Sequence, residues 1–312
     1  MSNAPVLHVV MYHYVRDFNR TRFPDIKGMQ LEDFRIQVSE LRKRFEMATV
    51  ESSLAFLHGT YRPARDLCLL TFDDGLREHF DTVAPILEER GIQGVFFVVT
   101  SCLEDARVAS VHMNHFLMAR LGFETYRELV LKRVRYMAPD LLPFVDHVHG
   151  AARVTYPWDT ADVAQFKYFF NFVMDAPRRD QLASLLFAET FGSEAEFARE
   201  LYLNWEELQA MQQAGMAVGG HTHTHRAMAT MADAELADDL SRCRALLDAR
   251  LRPQSIWPFS YPYGKKSSFN PASTVQLKDL RFDCAFSTET GSNVPRSDLF
   301  CLRRVDCKNA PA

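Results

Sequence analysis

Short apolar runs that end on polar clusters, alternating with segments of helical period, constrain this chain most. Leu67–Phe72 reads as a buried strand that runs straight into Asp73-Asp74-Gly75. A helix over about Phe80–Arg90 follows, stops at Gly91, and gives way to a second buried strand at Gly94–Thr100. Strand, helix, strand in that order is the pattern of an α/β fold with parallel strands. Val6–Tyr12 reads as the first strand, and Phe34, Val38, Leu41 and Phe45 recur at helical spacing within Leu31–Phe45, leaving Arg42 and Lys43 on the wet side.

After Cys102 the rhythm changes. From about Glu104 to Leu203 the period is mostly helical, as in Val163–Met174 and Arg178–Phe191, with Pro139, Pro143, Pro157 and Pro177 as punctuation. Alternation resumes with a helix at Trp205–Ala214, a strand at Met216–Gly219 and a helix at Asp233–Arg250. Ile256–Ser260, Cys284–Thr288 and Leu299–Val305 are the remaining strand candidates. The expected organisation is therefore one α/β domain from residues 1–102 and 203–312, interrupted by a helical insertion at 103–202.

Charge and composition exclude several classes. With 36 Lys+Arg against 40 Asp+Glu the net charge is −4, so this is not a basic nucleic-acid binder. The 24 Phe, 10 Tyr and 3 Trp argue for an ordered core over disorder. No apolar stretch approaches the roughly 18 residues a transmembrane helix needs. The N-terminus has no positive segment ahead of its apolar run, and the expected location is the cytoplasm. Six cysteines without a CxxC pair suit reduced, buried thiols better than a zinc knuckle.

Two segments carry the chemistry. Asp73-Asp74-Gly75 ends one expected strand, and His221-Thr222-His223-Thr224-His225 follows another through Gly219-Gly220. Both would lie at the carboxyl ends of strands, where α/β barrels build their active sites. If the second segment begins a helix, His221 and His225 share a face and can reach one ion while His223 points elsewhere. One carboxylate would complete the ligand set, and its neighbour would stay free to accept a proton. Taken singly, Asp-Asp-Gly is an ordinary turn and three histidines can form a solvated cluster; it is their joint placement that points to a metal site.

These segments resemble the first two motifs of the polysaccharide deacetylase family, carbohydrate esterase family 4 with its NodB homology domain. The likeness extends to Met11-Tyr12-His13-Tyr14-Val15, Gly94-Val95-Phe96-Phe97-Val98 and Asn204-Trp205-Glu206-Glu207-Leu208, covering about residues 6–102 and 203–306. It implies a distorted (β/α) barrel of about seven strands and removal of acetyl groups from sugars with one divalent metal. By position it implies Asp73 as general base and Asp74, His221 and His225 as metal ligands. Tyr261-Pro262-Tyr263-Gly264 resembles the third motif, in which the backbone N–H after the proline, here that of Tyr263, helps hold the oxyanion.

The chain departs from the pattern twice. The arginine that commonly opens the third motif is replaced by Ser260, and Arg304, ahead of Arg303, is the expected substitute. No histidine follows His225, so His13 is the expected acid, with water or protonated Asp73 as the other candidates. The ligand set suits Zn, with Co, Ni or Fe compatible. The expected substrate is an acetamido sugar in a glycan or a lipid-linked or nucleotide-linked intermediate. A formamido sugar or another amide, or simple carbohydrate binding on the same fold, are the alternatives. The insertion is long enough for a lid or a homo-oligomer contact, and Phe169, Phe170 and Phe172 are expected in its own core.

Overall fold

Seven of the apolar runs form strands in the computed structural model, which describes residues 4–144 and 149–310. They are β1 (Leu7–Tyr12), β2 (Leu67–Phe72), β3 (Gly94–Val98), β4 (Ala217–Gly220), β5 (Pro258–Ser260), β6 (Cys284–Thr290) and β7 (Leu302–Asp306). Neighbours in the chain pair in parallel, and β1 pairs with both β2 and β7, closing the ring. The two-residue strand Glu46–Met47 hangs on the start of β2. The architecture is thus a distorted seven-stranded (β/α) barrel with helices around it.

Side-chain alternation explains its layers. Leu7 and Val9 of β1, Leu67 and Leu69 of β2, and Phe97, Phe286 and Leu302 fill the ring in one buried cluster. The intervening Val10, Tyr12, Leu70, Phe72 and Phe96 belong to another cluster, with Phe34, Val38 and Leu41 of the helix Leu31–Arg44. Period-two strands meeting period-3.6 helices give this two-layer result. Gly219 is required by the narrow ring, since a Cβ there would lie 2.4 Å from the Pro258 carbonyl and 2.7 Å from the Phe97 ring.

The stretch between β3 and β4 is helical, including Ser110–Leu121, Phe123–Met137, Ala176–Phe191 and Glu194–Leu201. Its aromatic and aliphatic core also takes in Tyr14, Leu76 and Val99 from the barrel, so it packs on the carboxyl-end rim. All six cysteines are free thiols. No helix among the described residues is long and apolar enough to cross a membrane.

One local expectation is refined and one fails. The helix after β2 opens with a wider π turn at His79–Val83 before the α-helix Ala84–Glu89. The His221–His225 segment is not helical: Thr222 and His225 have left-handed φ values of 64° and 57°, and the chain there is an irregular loop. Asp239 explains this. Its buried carboxylate accepts from the His223 and Thr224 backbone N–H groups at 2.7 and 3.1 Å, offering the loop an alternative to helical bonding.

Candidate metal centre and catalytic dyad

Asp73 and Asp74 follow β2 directly, at the carboxyl end of the barrel, and Asp74 takes a left-handed φ of 79°. That turn sends the two neighbouring carboxylates to different partners. Both are buried.

Asp74 faces the histidine loop. Its Oδ1 lies 3.4 Å from His221 Nε2 and 3.2 Å from His225 Nε2. One ligand atom from each of the three residues falls within 4.8 Å of the others. The His221 Nδ1–H donates to the Ser260 carbonyl at 2.6 Å, which turns Nε2 toward Asp74 and makes it the atom a metal would take. Asp74 Oδ1 is buried with no hydrogen-bond partner, and so is His225 Nδ1. An orphaned carboxylate oxygen facing two imidazole nitrogens fits a divalent ion, because such an atom otherwise carries an unrelieved desolvation cost. Convergence therefore comes from two left-handed turns, not from helical i,i+4 spacing. His223 points elsewhere, to the Thr100 hydroxyl at 2.9 Å.

Electrostatics keep Asp74 ionised. Burial alone would raise its carboxyl, but His112, His221 and His225 offset this and hold it well below the usual carboxylate range. His225 is driven the other way, lowered to about 4 chiefly by burial, so its ring is neutral at pH 7 as a metal ligand must be.

Asp73 faces Arg304. The guanidinium donates to both carboxylate oxygens at 2.8 Å each, from a side chain with 0% exposure. The same guanidinium donates to the Ser287 carbonyl at 2.8 Å and to the Ser260 hydroxyl at 2.9 Å. Ser260 thus leaves room for, and accepts from, the arginine that reaches Asp73 from β7. Burial pushes the Asp73 carboxyl up, but Arg304, then His221, bring it below its ordinary value. Arg303, its neighbour, has an exposed side chain.

His13, just past β1, has Nε2 3.8 Å from Asp73 Oδ2 and a side chain 42% exposed, so it reaches both Asp73 and solvent. Its carbonyl accepts from the buried His79 ring at 2.9 Å. Tyr263, with φ of 62°, packs edge-on to His225 at 5.4 Å between ring centroids. Phe172 lies 4.9 Å from Tyr263 and stacks on Tyr168 at 5.0 Å. Phe169 and Phe170 are buried in the cluster that also holds Tyr14, Leu76 and Val99, whereas Phe172 is half-buried beside Tyr263. Phe172 lies within the π turn Phe169–Val173.

Three residues escape a sequence reading. His112 donates to Asp74 Oδ2 at 3.1 Å from within the insertion, and Asp239 and His79 act on the backbone around the site. A lone histidine or aspartate on a helix carries no signal of its partner; only the fold brings these together.

Comparison with known proteins places the chain. The profile of the family described as polysaccharide deacetylase matches residues 60–133 and 180–283. No curated protein matches. Among solved structures, IcaB from Ammonifex degensii aligns at 18% identity and a TM-score of 0.57, covering 97% of this chain and 91% of that one. The Streptococcus pyogenes deacetylase PplD in complex with acetate aligns at 14% and 0.57, covering 97% and 93%. The BpsB deacetylase domain from Bordetella bronchiseptica aligns at 17% and 0.56, covering 96% and 95%.

Proposed function

The chain belongs to the polysaccharide deacetylase family, and from that premise we propose that it is a metal-dependent hydrolase that removes an N-acetyl group from an amino sugar. The observation that carries this reading is the division of labour at the end of β2: Asp74 beside two imidazoles with an unpartnered oxygen, Asp73 clasped by a buried arginine.

Asp74, His221 and His225 would hold the ion, with zinc suited to two nitrogens and one oxygen and Co, Ni or Fe compatible. When bound, a divalent cation supplies Lewis-acid charge that polarises the acetamide carbonyl and makes water a competent nucleophile near neutral pH. Asp73, ionised because of Arg304, takes the proton from the attacking water. The Tyr263 backbone N–H donates to the oxyanion as charge develops. His13, exposed and near Asp73, delivers a proton to the leaving amine. Acetate and a free amine are the products, and atoms balance with one water consumed.

The half-buried rings of Tyr263, Phe172 and Tyr168 form a row leading from the site onto the insertion, and a pyranose face stacks on such rings. This supports an acetamido sugar within a glycan or a carrier-linked intermediate, with the insertion as its lid.

The test is Asp73→Asn, assayed by acetate release from acetamido-sugar oligomers and by zinc binding. Turnover should fall by about 10²–10⁴-fold with zinc affinity retained. Undiminished turnover in that variant removes Asp73 from the mechanism, and formate released in place of acetate from the corresponding formamido sugar redirects the substrate.

A further inference from the structure

We propose that His112, carried by the helical insertion and braced by Tyr202, is a positioning residue for Asp74 that makes the insertion part of the metal centre. This rests on the metal-centre reading above and deepens it.

An ionised carboxylate only accepts, so the contact at 3.1 Å is a donation from His112 Nε2–H to Asp74 Oδ2. The Tyr202 hydroxyl accepts from the Ala109 N–H at 3.1 Å and donates to His112 Nδ1 at 2.5 Å, which fixes the ring's tautomer and plane. His112 is 1% exposed, and Tyr14, Tyr202 and His225 stand around it with ring centroids 5.5 to 6.0 Å away.

The two ends of the insertion meet here. His112 sits on its early helix Ser110–Leu121, and Tyr202 is its last residue. Tyr202 also bridges Leu76, and the Leu203 N–H donates to the Gly75 carbonyl at 2.9 Å, so the exit strand is bound to the aspartate turn itself. Oδ2 is therefore taken, while Oδ1 has no partner and faces His221 and His225. The donated bond stops the carboxylate turning about its Cβ–Cγ bond and commits a single oxygen to the ion.

The experiment compares the metal-free full chain with His112→Ala, His112→Gln and Tyr202→Phe. Zinc affinity is measured by competition with a chromophoric chelator, the cobalt complex by its visible absorption, and the fold by the melting temperature without metal. His112→Ala should weaken zinc binding by about 10–100-fold and shift the cobalt bands. His112→Gln, whose amide N–H can reach Oδ2, should recover most of the affinity. Tyr202→Phe, which keeps the packing, should lose several-fold.

Zinc affinity within twofold of the parent in His112→Ala, or in Tyr202→Phe should the alanine variant not fold, overturns the proposal. So does affinity that tracks the melting temperature across all three variants with no recovery in His112→Gln. A parent chain that binds neither zinc nor cobalt defeats the metal-centre reading and this inference together, whereas a binding parent with unaffected variants defeats this inference alone.

Discussion

Replacing Arg304 isolates the physical basis of the proposed base. Both guanidinium–carboxylate bonds are 2.8 Å, and the pair has side-chain exposures of 0% and 2%, so solvent screens it little. At a charge separation of about 4 Å and an effective dielectric near 20, the attraction favours the ionised carboxylate by about 4 kcal/mol. Arg304→Met removes that attraction and leaves the burial that pushes Asp73 upward. The acid limb of the kcat/KM profile should then move to higher pH, reducing the fraction of ionised base near neutrality. Breaking a buried pair also costs about 3–5 kcal/mol of stability, so Arg304→Lys, which keeps the charge but not the two-pronged geometry, is the companion that remains folded. Its limb should move part of the way. The assay is acetate release from an acetamido-sugar oligomer between pH 4 and 9, with zinc affinity as the control, since Asp74 faces away from Arg304. A limb that stays within half a unit in both folded variants refutes the argument that Arg304 keeps Asp73 ionised.

Two further outcomes follow from the surroundings of the site. His79 is buried and lowered to about 4, chiefly by burial, so its contribution to stability is complete above its ordinary value of 6.5 and is lost as pH falls from there toward 4. Between pH 6.5 and 5 this amounts to about 2 kcal/mol, and His79→Phe should unfold in urea with a correspondingly flatter pH dependence; parallel curves for the two proteins would count against it. Phe172→Ala should raise KM for the sugar oligomer about fivefold with kcat nearly constant, since its ring contacts Tyr263 and not the carboxylates. A fall in kcat at unchanged KM would instead tie Phe172 to the chemistry.

The parts of this molecule legible in its sequence are those governed by local pattern. Leu67–Phe72 is a strand with six buried residues, as its unbroken apolar run implies, and Asp233–Arg250 is a helix within the limits its period sets. Gly91, with φ of 65°, ends its helix where a left-handed cap is needed. The His221–His225 loop shows the limit of such reasoning. Its spacing suits a helix, but Asp239, 14 residues beyond His225 and on another element, takes the N–H groups a helix would have used. His112 was illegible for the same reason: its partner Asp74 precedes it by 38 residues, and in a helix buried on several sides, at Val111, Met113 and Phe116, a histidine reads only as core.

Ser260 and Arg304 show how a missing motif residue need not mean a missing function. In a closed barrel, inward side chains at the carboxyl ends of neighbouring strands converge on one volume. Leu302 lies in the barrel interior, and Arg304, two residues on along β7, points the same way. From there its guanidinium spans to Ser260 on β5 and to Asp73 after β2, so the charge enters from β7 and the small residue on β5 gives it room. In the proposed mechanism Asp73 needs a buried cation within hydrogen-bonding reach of both its oxygens, and here β7 delivers it. The proposed acid follows the same geometry: His13 stands at the end of the strand that β2 and β7 both pair with, and its half-exposed ring lies 3.8 Å from Asp73.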